Sequence, residues 1–470
     1  MNREKKLLKN TLIISIGKIC TSLITFLLLP LYTNILSPSE YGIVDLFNTL
    51  LSLLFPIVSF QIEKALFREL LETEDFNKKK ELITTAFSTT IIQIVVFVII
   101  SLILSIFIKN EYKFYLIINV SAFILLSLLQ QIARGLKNTN LYTLSSFISA
   151  FLIIIFNIIF LVLLKMGIRG MLLGTFLGYM ISFIFLFLKL HIMKFINIKL
   201  FSILVLKKFL KYSVPLIPNA LSWWVFSASD RVIVSGILGI DQNGILSASL
   251  KFSTVYITLY NIFDISWTES ATLAVKDKDF DIYFNKMLNV FAKVFLSIGL
   301  IIIVCMPVVF PLMINENYSG GYKYIPISII ASYLNVLVGL ISVIYLAKKN
   351  TKGIANTSII AAIINIISHI LLINKIGLYA ATVSTLISFL ILTIYRFVDI
   401  RKKYFTINIE KKFVISALIV TSFVCACYYF NNICMNCISM LVVIVYSCLL
   451  NKNSVKSFLD LFYKKMKEAR

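Results

Sequence analysis

The sequence predicts an all-α integral membrane protein with about fourteen transmembrane helices, and three observations carry that expectation. Hydrophobic residues make up 59% of the 470-residue chain and charged residues only 14%, with a mean hydropathy of +0.92; soluble globular domains carry about 25% charged residues. Apolar runs of roughly 20 residues, each long enough to span a bilayer, recur along the whole length. The cations, finally, alternate between the connections.

The predicted spans cover 11–35, 41–66, 83–108, 114–133, 141–164, 170–188, 212–238, 244–268, 287–314, 324–347, 353–374, 377–395, 413–430 and 433–450. The N-terminus, the C-terminus and the connections on their side hold 34 Lys and Arg, against 6 in the connections on the other side. Five more (Lys18, Lys64, Arg231, Lys251 and Lys293) lie inside spans. This asymmetry is the positive-inside rule, and it places both termini in the cytoplasm. A net charge of +23 would suggest nucleic acid in a soluble protein; here topology accounts for it, and no nucleic-acid partner is expected.

Taken in order, the first span follows a basic stretch (Arg3, Lys5, Lys6, Lys9), carries Lys18 and bears Pro30 in its outer half. Its apolar run is too long for a signal peptide and lacks a small-residue cleavage motif, so it reads as an uncleaved helix. The outer turn is LSPSEYG, punctuated by Pro38 and Gly42. The second span contains Asp45 and Pro56 and ends in QIEKALFREL, where Lys64 and Arg68 are four apart and share a helical face. Glu63, Lys64 and Arg68 suit either snorkelling at the cytoplasmic interface or the mouth of a cavity. In the sixth span Gly170, Gly174 and Gly178 form a small-residue ladder for close helix packing. The stretch 189–211, with Lys189, Lys194, Lys199, Lys207, Lys208 and Lys211, reads as a basic interfacial segment. Pro307 and Pro311 bend the ninth span. A second basic junction (Arg396, Arg401, Lys402, Lys403, Lys411, Lys412) precedes the last two spans and a basic amphipathic tail. Cys425, Cys427, Cys434 and Cys437 lie near the last hairpin with no His beside them, and read as small apolar residues rather than metal ligands.

The stretch with the most chemistry is Ser213–Lys251, read as a hairpin with a short polar tip at Asp241-Gln242-Asn243-Gly244. Asp230 and Arg231 lie in its first arm and Lys251 in its second. At 1.5 Å per residue both cations stand about 10 Å below the tip. A charge at the bilayer centre costs about 2.5–3.5 kcal/mol on insertion scales, so each needs a partner, a wet cavity or a ligand. Trp223, Trp224 and Phe226 read as packing residues.

The halves of the chain echo each other. Ile35-Leu36…Gly42-Ile43 matches Ile237-Leu238…Gly244-Ile245 at an offset of 202, Asn157-Ile158-Ile159 matches Asn365-Ile366-Ile367 at 208, and Lys165…Thr175 matches Lys375…Thr385 at 210. Six helices per copy predict two lobes related by a pseudo-two-fold along the membrane normal, with a substrate site between them. The expected division is 1–200 for helices 1–6, 201–400 for helices 7–12 and 401–470 for helices 13–14 and the tail.

LYTNILSPSEYGIVDL at 31–46 and PLIPNALSWWVFSASDRVIVSGILGIDQNGILSASLK at 215–251 resemble the polysaccharide-biosynthesis (Wzx-type) flippases. These belong to the multidrug/oligosaccharidyl-lipid/polysaccharide exporter superfamily, with its MATE-like fold. The resemblance implies a protein of the bacterial cytoplasmic membrane that moves undecaprenyl-diphosphate-linked oligosaccharide repeat units to the outer leaflet by alternating access, for O-antigen, capsule or a similar polymer. It also implies contact with membrane lipids and glycan-assembly partner proteins. Some relatives couple transport to protons or sodium, but no motif here assigns an ion. The family's cationic cavity maps onto Arg231, Lys251 and Lys18, with Lys64 and Arg68 as further candidates.

Elementary chemistry points the same way. A diphosphate crossing hydrocarbon needs compensating positive charge, and Arg grips phosphate oxygens bidentately. Asp230 is a candidate for balancing that charge or carrying a coupling proton. The competing reading is a salt-bridge network of Asp230, Arg231 and Lys251 that only locks two helices. A cation-coupled drug antiporter of the same fold would favour a cavity rich in carboxylates, whereas cations outnumber acids in these spans. A glycosyltransferase or polymerase would need a substantial outer loop with acid/base residues. The outer connections are short, and His191 and His369 are isolated. No nucleophile–base set, P-loop, metal set or cofactor motif is present, and the sequence reads as a transporter, not an enzyme.

Overall fold

The structure, a computed structural model, describes residues 26–107, 110–275, 277–348 and 350–468. Lys18 and most of the first expected span lie outside the described residues. Every element described is helical, and among the described residues eleven helices are long and apolar enough to cross a membrane. The seventh and eighth expected spans are present as helices 217–237 and 240–274, richer in Ser, Asn and charged residues than those eleven. The chain is a multi-pass membrane protein. It divides into two compact units, Met1–Gly244 and Ile245–Arg470.

In the first unit, α1 (Leu29–Ile35) leads into α2 (Pro38–Val58). A capping box starts α2: the Ser37 hydroxyl accepts from the Glu40 amide at 3.3 Å, and the Glu40 carboxylate accepts from the Ser37 amide at 2.9 Å. Proline stands at the first helical position, where its missing N–H costs nothing. Most of the expected outer turn is therefore helical. The second span closes at Val58, not at 66, because Phe60 and Gln61 both take left-handed backbone (φ 47° and 53°). After that break comes a separate short helix, α3 (Ile62–Glu72).

The unit continues through α4 (Phe76–Ser105), α5 (Lys113–Gly135), α6 (Thr139–Ile158, prolonged by a π-turn to Leu163) and α7 (Gly167–Lys189). Amphipathic α3 buries Ile62, Leu66 and Leu70 against Leu126, Leu129 and Ile132 of α5 and Phe209 of α8 (Ile203–Ser213). The outer face of α4 (Ile92, Val95, Val96, Ile99, Ile100) is exposed and apolar, as a lipid-facing helix must be. Gly170, Gly174 and Gly178 bring α7 onto Phe160, Asn157 and Ile153, as the ladder predicts. The basic stretch 189–211 exposes Met193, Ile198, Ile203 and Leu204 beside its lysines, the pattern of an interfacial segment. Its chain is pinned to α4, where Thr84 donates to the Phe195 carbonyl (2.9 Å) and the Thr85 hydroxyl accepts from the Ser202 amide (3.1 Å).

Two helices form the expected hairpin, α9 (Ile217–Ile237) and α10 (Ile240–Ala274). The polar tip sits elsewhere than expected. The turn is Leu238–Gly239, with Gly239 at φ +102°, and Asp241 to Gly244 already belong to α10. Gly244 meets α2: a Cβ there would lie 1.8 Å from the Pro38 carbonyl oxygen, and one on Gly42 2.2 Å from the Ile240 carbonyl oxygen. Only paired glycines permit that approach.

The second unit contains the rest of α10, then α11 (Phe280–Met313), α12 (Ile325–Ala347), α13 (Thr351–Ile376), α14 (Tyr379–Lys403), α15 (Lys411–Phe430) and α16 (Ile433–Glu468). Aromatic rings join α10 to α11: Phe263 lies 4.2 Å from Phe291 and 5.5 Å from Phe295, and Trp267 lies 5.3 Å from Phe291. Trp267 also donates to the Leu340 carbonyl of α12 at 3.2 Å. Arg396, expected in a basic junction, is instead buried in α14 at 3% exposure. Its guanidinium donates to Thr357 (3.0 Å), Ser358 (2.9 Å) and the Ser342 hydroxyl, which belong to α13 and α12.

Gly244→Val is expected to push α10 from α2 and destabilise the protein by about 3 kcal/mol, read as a lower melting temperature in detergent. Gly236→Ala, where an added Cβ meets nothing within 4 Å, should be neutral. Equal effects at the two positions would rule out the close approach.

Candidate functional site

The site grows from the seam between α2 and α9. Arg231 lies six residues before the end of α9 and Asp45 seven residues into α2, so both sit about 10 Å below the turn. Arg231 Nε reaches Asp45 Oδ2 at 2.8 Å, with side-chain exposures of 18% and 12%. A guanidinium Nη also donates to the Ser227 carbonyl one turn back. Above this pair, Asn243 donates to the Gly42 carbonyl at 3.0 Å. Below it, the Trp224 indole donates to the Thr49 carbonyl at 3.0 Å. Further down, the Gln61 amide donates to the Leu216 carbonyl at 3.2 Å. The seam thus runs from the turn to the break after α2, with the Arg231–Asp45 ion pair in its upper half.

The other expected residues are placed as follows. Asp230, beside Arg231 in sequence, is half-buried and points about 100° round the helix from it. Lys251 is half-buried on α10 in the second unit. Lys64 and Arg68 lie one turn apart on the exposed face of α3. Lys64 donates to the Gln61 side chain. Arg68 pairs with Glu72 at 3.4 Å and lies 4.7 Å over the Tyr212 ring of α8. Trp224 proves to be a seam residue, and Trp223 is exposed beside Phe226.

Three residues emerge only in three dimensions. Asp45 is the carboxylate that holds Arg231; its position within an apolar span was the one signal available. Arg396 looks like any junction cation in the sequence. Glu63 is 4% exposed at the start of α3, beside the break. An apolar groove of about 630 Å³ lies elsewhere, between α2, α4 and α5, lined by Leu54, Phe60, Ile92, Gln93, Ile100 and Lys113. It contains none of the seam's charges.

Asp45→Asn leaves a largely buried guanidinium without its carboxylate, and is expected to cost about 3 kcal/mol. The reversal Asp45→Arg with Arg231→Asp should regain most of that stability in thermal unfolding. A reversal no more stable than Asp45→Asn would show that the two side chains do not act as a pair.

No curated protein matches the sequence. Among solved structures, a lipid II flippase, MurJ, in an inward closed conformation superposes with a TM-score of 0.69 at 18% identity, covering 95% of this chain and 98% of that one. An inward-facing MATE multidrug resistance transporter of the MOP superfamily gives 0.63 at 14% identity, over 83% and 98%. A MOP superfamily transporter from Pyrococcus furiosus gives 0.56 at 14%, over 84% and 95%. These neighbours share the fold, and they are transporters and flippases rather than enzymes. The family profile described as polysaccharide biosynthesis protein matches residues 7–264, more than half of the sequence; the chain belongs to that family.

Proposed function

We propose that the protein flips undecaprenyl-diphosphate-linked oligosaccharide repeat units from the cytoplasmic to the outer leaflet of a bacterial cytoplasmic membrane, by alternating access, with both termini cytoplasmic. The observation that carries this reading is Arg231, a largely buried guanidinium in an expected span, paired with the Asp45 carboxylate at 2.8 Å. A diphosphate offers what Asp45 offers, oxygen acceptors with negative charge, and more of each. Substrate binding can therefore exchange Asp45 for phosphate and loosen the seam between α2 and α9, so that binding energy drives a change of conformation. Lys251 and Lys18 add charge for the second phosphate, Lys64 and Arg68 draw the anion in from the cytoplasmic side, and Asp230 balances the site when it is empty. The lobes doing this are 1–200 and 201–400, with 401–470 appended. Membership of a polysaccharide biosynthesis family and the likeness to a lipid II flippase support a lipid-linked sugar as cargo. The cation-rich spans speak against a drug antiporter, whose cargo would favour carboxylates.

The test is translocation of a fluorescent undecaprenyl-diphosphate oligosaccharide in proteoliposomes. Arg231→Ala and Lys251→Ala should each slow flipping at least tenfold, about 1.4 kcal/mol, while the purified variants remain folded. Arg231→Lys should fall between, since it keeps charge and loses the fork. Unchanged flipping by folded Arg231→Ala and Lys251→Ala would remove the diphosphate role from these residues.

A further inference from the structure

The break between α2 and α3 is built around a carboxyl group. Phe60 and Gln61 hold left-handed backbone, which costs a non-glycine residue about 1–2 kcal/mol. The surrounding side chains compensate. The Ser59 hydroxyl accepts from the Gln61 amide at 3.0 Å, and the Ser59 carbonyl accepts from Gln93 of α4 at 3.3 Å. Gln61 reaches the Leu216 carbonyl and receives Lys64. Glu63 stands in the first turn of α3, two residues past the left-handed pair, and is 4% exposed. It lies beyond the second span, which ends at Val58.

We propose that Glu63 is a proton-binding site whose occupancy sets the geometry of the α2–α3 break. Ionised, Glu63 attracts the adjacent Lys64 ammonium, which also donates to the Gln61 side chain. Protonation removes that attraction and leaves Lys64 to Gln61, the second residue of the left-handed pair. The seam through Gln61 and Leu216 then feels the change. Coupling of this site to transport rests on the flippase reading; the proton site itself does not.

The environment favours titration in the working range. Burial pushes the Glu63 carboxyl up to about 7, against the opposing pull of Lys64 and Ser59. Charges on neighbouring elements are otherwise engaged or exposed. On α3 itself Arg68 pairs with Glu72, and Glu69 with Lys208 of α8. Lys207 and Lys211 of α8 are exposed. At the start of α4, Lys78 pairs with Glu81 and Lys79 with Glu74, and Lys80 lies over Phe76. On α5, Arg134 lies over Phe67 and Tyr142 and donates to Gln131. Lys64 is the charged neighbour acting on Glu63.

The experiment is pH-difference infrared spectroscopy of the full-length protein in lipid, comparing wild type with Glu63→Gln and Glu63→Asp. A protonated-carboxyl band that titrates near neutral pH should be present in wild type, shifted in Glu63→Asp and absent in Glu63→Gln. Because the folded carboxyl binds its proton more tightly than an unfolded one, its stabilising contribution is full at acid pH and disappears as pH rises through 7. Glu63→Gln should flatten that part of the melting-temperature profile. Between pH 6 and 8 the protonated fraction of such a group falls roughly tenfold, so wild-type flipping should change severalfold while Glu63→Gln stays level. A wild type without the band, or a band that survives Glu63→Gln, overturns the site. A band lost in Glu63→Gln with an unchanged flipping profile overturns the coupling to transport. If no variant flips the lipid, the flippase reading fails and the infrared result still decides the proton site.

Discussion

A charge inside hydrocarbon must be answered by the protein itself, and the functional architecture here follows from how two guanidinium groups are answered. Arg231 is paired with the Asp45 carboxylate across the α2–α9 seam. Arg396 is held by hydroxyl groups from two neighbouring helices, Ser342, Thr357 and Ser358. The two solutions behave differently. A carboxylate partner can be replaced by a competing anion, because phosphate repeats its chemistry. A fork filled by several neutral acceptors on rigid helices has no vacancy for one. That difference makes Arg231 the residue on which the proposed cargo role rests, while Arg396 fastens α12, α13 and α14 together.

The same economy governs the two long connections. The chain after α7 is pinned to α4 by Thr84 and Thr85. The chain after α14 is pinned to α11, where the Asn285 and Asn289 side chains pair with the backbone of Thr406, Asn408 and Glu410 as a neighbouring strand would. Lys293 closes that contact on Glu410 at 2.8 Å. In the sixfold numbering of the repeat, α4 and α11 are the third and ninth spans. Equivalent helices thus anchor equivalent connections with different residues, which short sequence matches do not reveal.

Side chains that serve the seam differ in how visible they are in the sequence. Arg231 is conspicuous because Arg is scarce and the run around it is apolar. Asp45 is visible as a carboxylate in a span, yet nothing local says that it faces Arg231, 186 positions away. Its adjacent residue, Asp230, is the natural guess from sequence and points to a different side of α9. The break after Val58 is harder still. Pro56 suggests a bend nearby, but the left-handed pair falls on Phe and Gln, residues that do not favour it, and is held by contacts from α4 and the start of α9. Glu63 reads as an interfacial charge beside Lys64 until the break turns it inward.

By itself the sequence determined the class, the approximate number of crossings and the family likeness. Those properties follow from hydropathy and charge summed over about 20 residues, where no single contact matters. Tertiary structure alone decided which carboxylate answers Arg231, that Arg396 is buried, and where the second span stops. Each of these depends on one atom meeting another across helices far apart in sequence. The close approach of Gly42 and Gly244 permits that meeting at the top of the seam, and helix periodicity carries no information about which face will be offered to which neighbour.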